Sequence, residues 1–267
     1  MALAVLSQAE PRLIAEQYYL YKMFGLFRNK KTEPTDLSFL STDMHSHLLP
    51  ALDDGAEDIE QSVQLITEMR ALGYRKLICT PHVMADMYRN TPASISEAHA
   101  KLEKRLADNG PADIEIAYAA EYMLDEGFTL NRNNHSLLKL TGNYLLIEMS
   151  YLAESPFLHN EIFELSLSGY QPVLAHPERY NFYHNDYAVY RKLCDAGCLL
   201  QVNLLSFTGY YGPAVKNIAT RLLKDKLITL AGSDVHHMKH IAALKTLSRT
   251  SVWTELKNYP FLNHSWL

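Results

Sequence analysis

Between residues 37 and 247, short apolar runs alternate with stretches of helical periodicity. This alternation narrows the possible folds more than any other feature of the chain. Residues 37–44, 76–80, 114–120, 144–147, 173–175, 198–203 and 227–231 read as strands. Residues 58–72 read as a helix, with Ile59, Val63, Ile66, Met69 and Leu72 at three- and four-residue steps before Gly73. Ser94 can cap a charged helix that ends near Asn109 and Gly110. Further helices are expected over 156–168, 187–196, 213–225 and 238–247. Strands separated by helices pair in parallel through right-handed crossovers, so the expectation is α/β, either a barrel or an open doubly wound sheet. No repeat or flexible linker divides the chain. The expected organisation is a peripheral extension over 1–36 and one domain over 37–267. Within the extension, 13–27 has the pattern of a short amphipathic helix, 28–31 is a solvated basic cluster, and Met23 is an alternative start.

The residues just past the strands form a chemical set. In a strand, His45 and His47 point to one face, because side chains alternate with period two. Two imidazoles on one face can grip one divalent ion. With twelve histidines in 267 residues, such a pair alone says little. However, His82 follows the second strand, Glu121 the third, Glu148 the fourth, His176 the fifth, and Asp234 with His236 the seventh. In parallel β/α folds, the C-terminal ends of strands are where sites are built. Singly, each residue has an ordinary role: a lone histidine in the core or on the surface, a glutamate as the first exposed residue of a loop. Together they are in phase with the strands. A carboxylate close behind an apolar run is costly to leave unpaired, which favours a cation partner. His237 and His240 are expected to face solvent. His99, His135, His159, His184 and His264 lie away from strand ends.

Composition excludes some classes. A formal charge of −5 disfavours nucleic-acid binding through a broad basic surface. No apolar run reaches the roughly 20 residues that span a bilayer, and the first residues lack a basic n-region, so neither membrane insertion nor a secretory signal is expected. Three cysteines suit a reducing, cytoplasmic setting. None has an arginine six positions on, as a cysteine-dependent phosphatase loop requires.

His45-Ser46-His47 with Asp53-Asp54-Gly55, Thr80-Pro81-His82, Ala120-Glu121, Ile147-Glu148, Ala175-His176-Pro177-Glu178-Arg179-Tyr180 and Gly232-Ser233-Asp234-Val235-His236 resemble the polymerase-and-histidinol-phosphatase (PHP) superfamily. Within it, they look most like the bacterial manganese-dependent protein-tyrosine phosphatases of capsular and exopolysaccharide loci. The likeness spans about residues 40–245. It implies a distorted seven-stranded (β/α)7 barrel with its site at the C-terminal strand ends. It also implies three divalent ions, Mn²⁺ first, with Fe²⁺ or Zn²⁺ as alternatives. The implied ligands are His45, His47, His82, Glu121, Glu148, His176, Asp234 and His236. Five neutral histidines, three carboxylates and a bridging hydroxide around three such ions leave a charge of about +2, suited to a phosphomonoester dianion.

By the same resemblance, a metal-activated hydroxide hydrolyses phosphotyrosine and Arg179 binds the phosphate. The implied partner is a phosphotyrosine-bearing protein, a tyrosine kinase of polysaccharide export. The family's second phosphate-binding arginine is missing from His237-Met238-Lys239-His240-Ile241. Lys239 could replace its charge but not its two-pronged hydrogen bonding. Tyr88, Tyr122, Tyr180, Tyr210 and Tyr211 are candidates to line an aromatic pocket. Two alternatives stay open: another PHP phosphomonoesterase, acting on histidinol, sugar or nucleotide phosphates, and a non-catalytic metal-binding scaffold.

Overall fold

The computed structural model describes residues 33–111, 113–134 and 137–267; the expected helix at 13–27, the basic cluster at 28–31 and the alternative start at Met23 lie outside them. The described residues hold nine strands: β1 (Thr42–Ser46), β2 (Lys76–Cys79), β3 (His82–Val83), β4 (Glu115–Tyr118), β5 (Glu121–Met123), β6 (Tyr144–Glu148), β7 (Gln171–Ala175), β8 (Leu199–Asn203) and β9 (Leu230–Gly232). All pair in parallel, in the orders β1-β2-β4 and β3-β5-β6-β7-β8-β9. The α/β class and the curled parallel sheet agree with the expectation, and the strand count does not. Each of the seven expected runs overlaps a strand, the first only over Thr42–Met44, but the second and third break and resume. Pro81 has no N–H to give a ladder, so the second run stops at Cys79 and restarts at His82. Ala119 N–H donates to Cys79 O at 2.8 Å and Glu121 N–H to Pro81 O at 3.1 Å, which carries the pairing across the gap.

Helices fill the connections. Asp58 caps Ile59–Ala71 through Gln61 N–H. The helix Pro92–Asn109 is capped by Thr91 rather than Ser94. Ser94 is instead the third residue of a reciprocal capping box, its hydroxyl accepting from Thr91 N–H. The short helices Glu126–Asn134, Leu204–Thr208 and Trp253–Asn258 were not expected, because too few of their turns carry an apolar stripe. No helix among the described residues is long and apolar enough to cross a membrane.

The inner face of the sheet is tiered along the strands. Met44, Ile78, Ala119, Leu146, Val173, Ala175 and Leu230 form one buried apolar cluster, with Trp266 packed beneath it. Two residues further along the same faces stand Glu121 after Ala119 and Glu148 after Leu146. A register shift in β1 between Asp43 and Ser46 lets Met44 join the apolar cluster while His45 and His47 still point to the site.

The edge strands β1 and β9 meet at their C-terminal ends, where Asp234 N–H donates to His45 O at 2.8 Å and His47 N–H to Val235 O at 2.9 Å. Nearer their N-terminal ends, one buried side chain, Asn263, joins them. Its amide donates to Thr42 O at 3.0 Å and Ala231 O at 2.6 Å and accepts from Ala231 N–H at 3.0 Å. Asn263→Leu would strand those backbone groups. It is expected to lower stability by about 3 kcal/mol, seen as an earlier urea midpoint with an unchanged slope.

Candidate metal centre

All eight residues expected as ligands converge at the C-terminal ends of the strands, and every one is buried or half-buried. Their donor atoms fall into overlapping groups, each within 4.8 Å: His45, His47 and Glu121; His45, His176 and Asp234; His82, Glu121 and Glu148; and His47, His82 and His236 with Asp54. Asp54 is the addition. It follows the His-x-His pair in an Asp-Asp-Gly turn, and its carboxylate lies 3.5 Å from His82 Nε2 and 3.4 Å from His236 Nε2. The turn itself was the available signal.

The backbone aims these groups. His176 and Asp234 both adopt left-handed conformations, with φ of 35° and 52°, at the ends of β7 and beyond β9. Such strain in non-glycine residues persists only where the surroundings enforce it. Gly232 lies so close to the first ligand that a Cβ there would sit 2.6 Å from His45 Cβ.

Hydrogen bonds behind the imidazoles fix their tautomers. His45 Nδ1–H donates to Gln201 Oε1 at 2.9 Å, and His47 Nδ1–H to Asp53 Oδ2 at 2.7 Å. Both Nε2 lone pairs therefore face inward, 3.3 Å apart. Glu121 Oε2 lies 3.1 and 3.4 Å from them, and Asp234 Oδ1 lies 3.4 Å from each. Asp234 Oδ2 already accepts from Arg179 and Asn203, at 2.7 and 2.8 Å. Glu121 Oε2 has no hydrogen-bond donor. Four atoms that can each donate an electron pair thus converge, each of the two nitrogens 3.1 to 3.4 Å from the other three atoms, an arrangement that suits a cation.

Electrostatics agree. Burial by itself would strip protons from these imidazoles. Yet His45 and His47 are pushed up by the carboxylates against them, Glu121 and Asp53 foremost, and His82 is pushed up to about 9 by Glu148. Burial and the charge of Glu121 raise Glu148 to about 7. His176, buried and near Arg179, falls to about 4 and stays neutral, as a ligand must. The site demands positive charge, and a mixed imidazole and carboxylate set fits Mn²⁺, Fe²⁺ or Zn²⁺.

Asp53 tests this support. Besides His47, it accepts from His82 N–H at 2.9 Å and Gly55 N–H at 3.0 Å. An amide cannot accept on both sides. Asp53→Asn is expected to weaken metal affinity about 10- to 100-fold, measured by competition with a chromogenic chelator.

A cavity of about 450 Å³ opens over the donors. Arg179 lines it, its guanidinium 4.7 Å from the Tyr151 ring and 4.1 Å from the Tyr211 ring. Of the expected tyrosines, Tyr88 and Tyr211 line the cavity. Tyr122 and Tyr180 are buried, with hydroxyls accepting from Leu138 and Met149 N–H, and Tyr210 leans on His240 from outside the lining. Tyr151 was not expected there. Lys239 is exposed and outside the lining, whereas His240, expected in solvent, is buried and accepts from His236 N–H at 3.1 Å. Successive helical residues point about 100° apart, so the Met238–Leu244 helix cannot turn both inward. His237, also expected in solvent, is half-buried in the cavity wall. The three thiols lie elsewhere. Burial pushes Cys79 and Cys198 up to about 12 and raises Cys194 as well.

Comparison with known proteins adds family context. Residues 41–250 match the family described as "Capsular polysaccharide synthesis, CpsB/CapC". The chain is 31% identical over 198 residues to the tyrosine-protein phosphatase YwqE of Bacillus subtilis, covering 74% of this chain and 78% of that one. It is 30% identical over 203 residues to the tyrosine-protein phosphatase CpsB of Streptococcus pneumoniae, covering 73% and 83%. A chain from the crystal structures of these two proteins, described as unique metal-dependent tyrosine phosphatases, superposes with a TM-score of 0.73 at 28% identity, covering 84% and 90%.

Proposed function

The chain belongs to the CpsB/CapC family of capsular polysaccharide synthesis, and we propose on that premise that it is a metal-dependent phosphatase hydrolysing phosphotyrosine on a protein partner. The observation that carries the reading is the convergence of His45 Nε2, His47 Nε2, Glu121 Oε2 and Asp234 Oδ1, each nitrogen 3.1 to 3.4 Å from the other three atoms. Three divalent ions, Mn²⁺ first, would be held by His45, His47, His82, Glu121, Glu148, His176, Asp234 and His236, with Asp54 joining His82 and His236. The curled sheet, with its edges joined at Asp234 and Asn263, is read as the PHP-type (β/α)7 barrel. The partner is a tyrosine kinase of polysaccharide export, met in the cytoplasm.

When bound, divalent ions supply an acidified water at neutral pH and neutralise phosphoryl oxygens. The chain's own residues do the rest. Glu121 reaches four of the five imidazoles. Asp53 and Gln201 hold His47 and His45 in the tautomers that point Nε2 inward. Arg179, held against two rings and anchored on Asp234, presents its remaining N–H groups to a phosphate. The buried thiols take no part.

A panel of phosphoesters assayed with each of several added metals tests the proposal. Turnover of a phosphotyrosyl peptide should vanish with chelator, return with Mn²⁺ and persist after thiol alkylation. His176→Ala should slow it severely. Sensitivity to alkylation with indifference to chelator would overturn the proposal.

A further inference from the structure

Beside the donor groups, the lining of the cavity changes character. Met123 stands two residues beyond Glu121 and pairs with Glu148 of β6, and Met84 follows directly after β3, two residues beyond His82, the two strands being paired His82 to Glu121 and Val83 to Tyr122. Val83 and Tyr122 turn into the core. Both methionines line the same cavity as Arg179 and the two rings beside it, Tyr151 and Tyr211. Met84 N–H donates to Tyr88 O at 2.9 Å, closing a loop that holds the Tyr88 ring against His82 at 5.6 Å. Met87, in that same loop, also lines the cavity although it is 70% exposed.

Thioethers are poor ligands for hard or borderline cations in an imidazole and carboxylate site. They are also weak hydrogen-bond acceptors and no donors. A sugar or other polyhydroxylated leaving group would press its hydroxyls against them unsatisfied. A flat aromatic ring, in contrast, gains sulfur–arene contacts and loses apolar surface to water.

We propose that Met84 and Met123 form a thioether shelf that receives the aromatic ring of the leaving group, and so set this chain's preference for aryl over alkyl phosphomonoesters. This assignment rests on the phosphatase reading above and names what selects substrates at that same site. In this arrangement the phosphate reaches the donor groups and Arg179, while the ring lies against the shelf.

Titration calorimetry of the manganese-loaded protein with phenylphosphonate and methylphosphonate tests it. The native protein should bind the phenyl compound about tenfold or more tighter. The paired change Met84→Gln and Met123→Gln, similar in shape but polar, should cut that ratio to about threefold or less, while Met84→Leu with Met123→Leu keeps it. Equal ratios in the native and glutamine forms, or no preference in the native protein, would overturn the assignment. Hydrolysis of 4-nitrophenyl phosphate by the same native preparation separates the two levels. Turnover with a flat ratio removes the shelf alone, and no turnover of any phosphomonoester removes the phosphatase reading and the shelf with it.

Discussion

Glu121→Gln is expected to reduce turnover of a phosphotyrosyl peptide by at least about 10³-fold and to lower the bound metal by more than one equivalent per chain. The carboxylate is fully buried, and its two oxygens approach His45, His47, His82 and His176 at 3.1 to 3.4 Å. Burial alone would favour its neutral form, but the imidazoles of His45 and His82 outweigh that and hold its pKa well below the usual range. It is therefore an anion placed between donor groups, and it belongs to two of them. Glutamine keeps the volume, removes the charge and points an N–H₂ at lone pairs. Elemental analysis and steady-state kinetics on one preparation check this. Native metal content in the variant would mean that Glu121 does not bridge the donor groups.

Arg179→Lys is expected to cost about 10²-fold in kcat/KM, and Arg179→Ala about 10³-fold, with metal content close to native in both. The guanidinium enters the cavity from a single 3-10 turn, Pro177–Arg179, which starts from the strained His176. One of its nitrogens is committed to Asp234 at 2.7 Å, and its faces lie against Tyr151 and Tyr211. A lysine retains charge but cannot hold Asp234 and two phosphate oxygens in one plane. With Lys239 exposed and outside the cavity, no lysine lines it to compensate among the described residues. If Arg179→Ala kept native kcat/KM, phosphate recognition would have to come from the metals alone.

Much of this centre was legible because two local rules act together. Alternation fixes which strand residues share a face, and parallel topology puts every strand's C-terminal end at the same mouth. That is why His45, His82, Glu121, Glu148 and His176 could be grouped although they are scattered along the chain. The break at Pro81 was also written in the sequence, since a missing N–H is local. Thr80-Pro81-His82 nevertheless reads equally well as the end of a strand.

What the sequence determined by itself was periodicity: the strand runs, most of the helices, and the order in which imidazoles and carboxylates reach the strand ends. The three-dimensional packing decided which loop and helix residues fill the space above them. Lys239 and His240 are neighbours in sequence, yet only the second is buried in the cavity wall, because the Met238–Leu244 helix is oriented by what it packs against. Tyr151 lines the cavity and Tyr180 is sealed in the core for the same reason. A residue's face on its own element follows from backbone geometry, whereas its neighbours across a cavity depend on where the other elements come to rest.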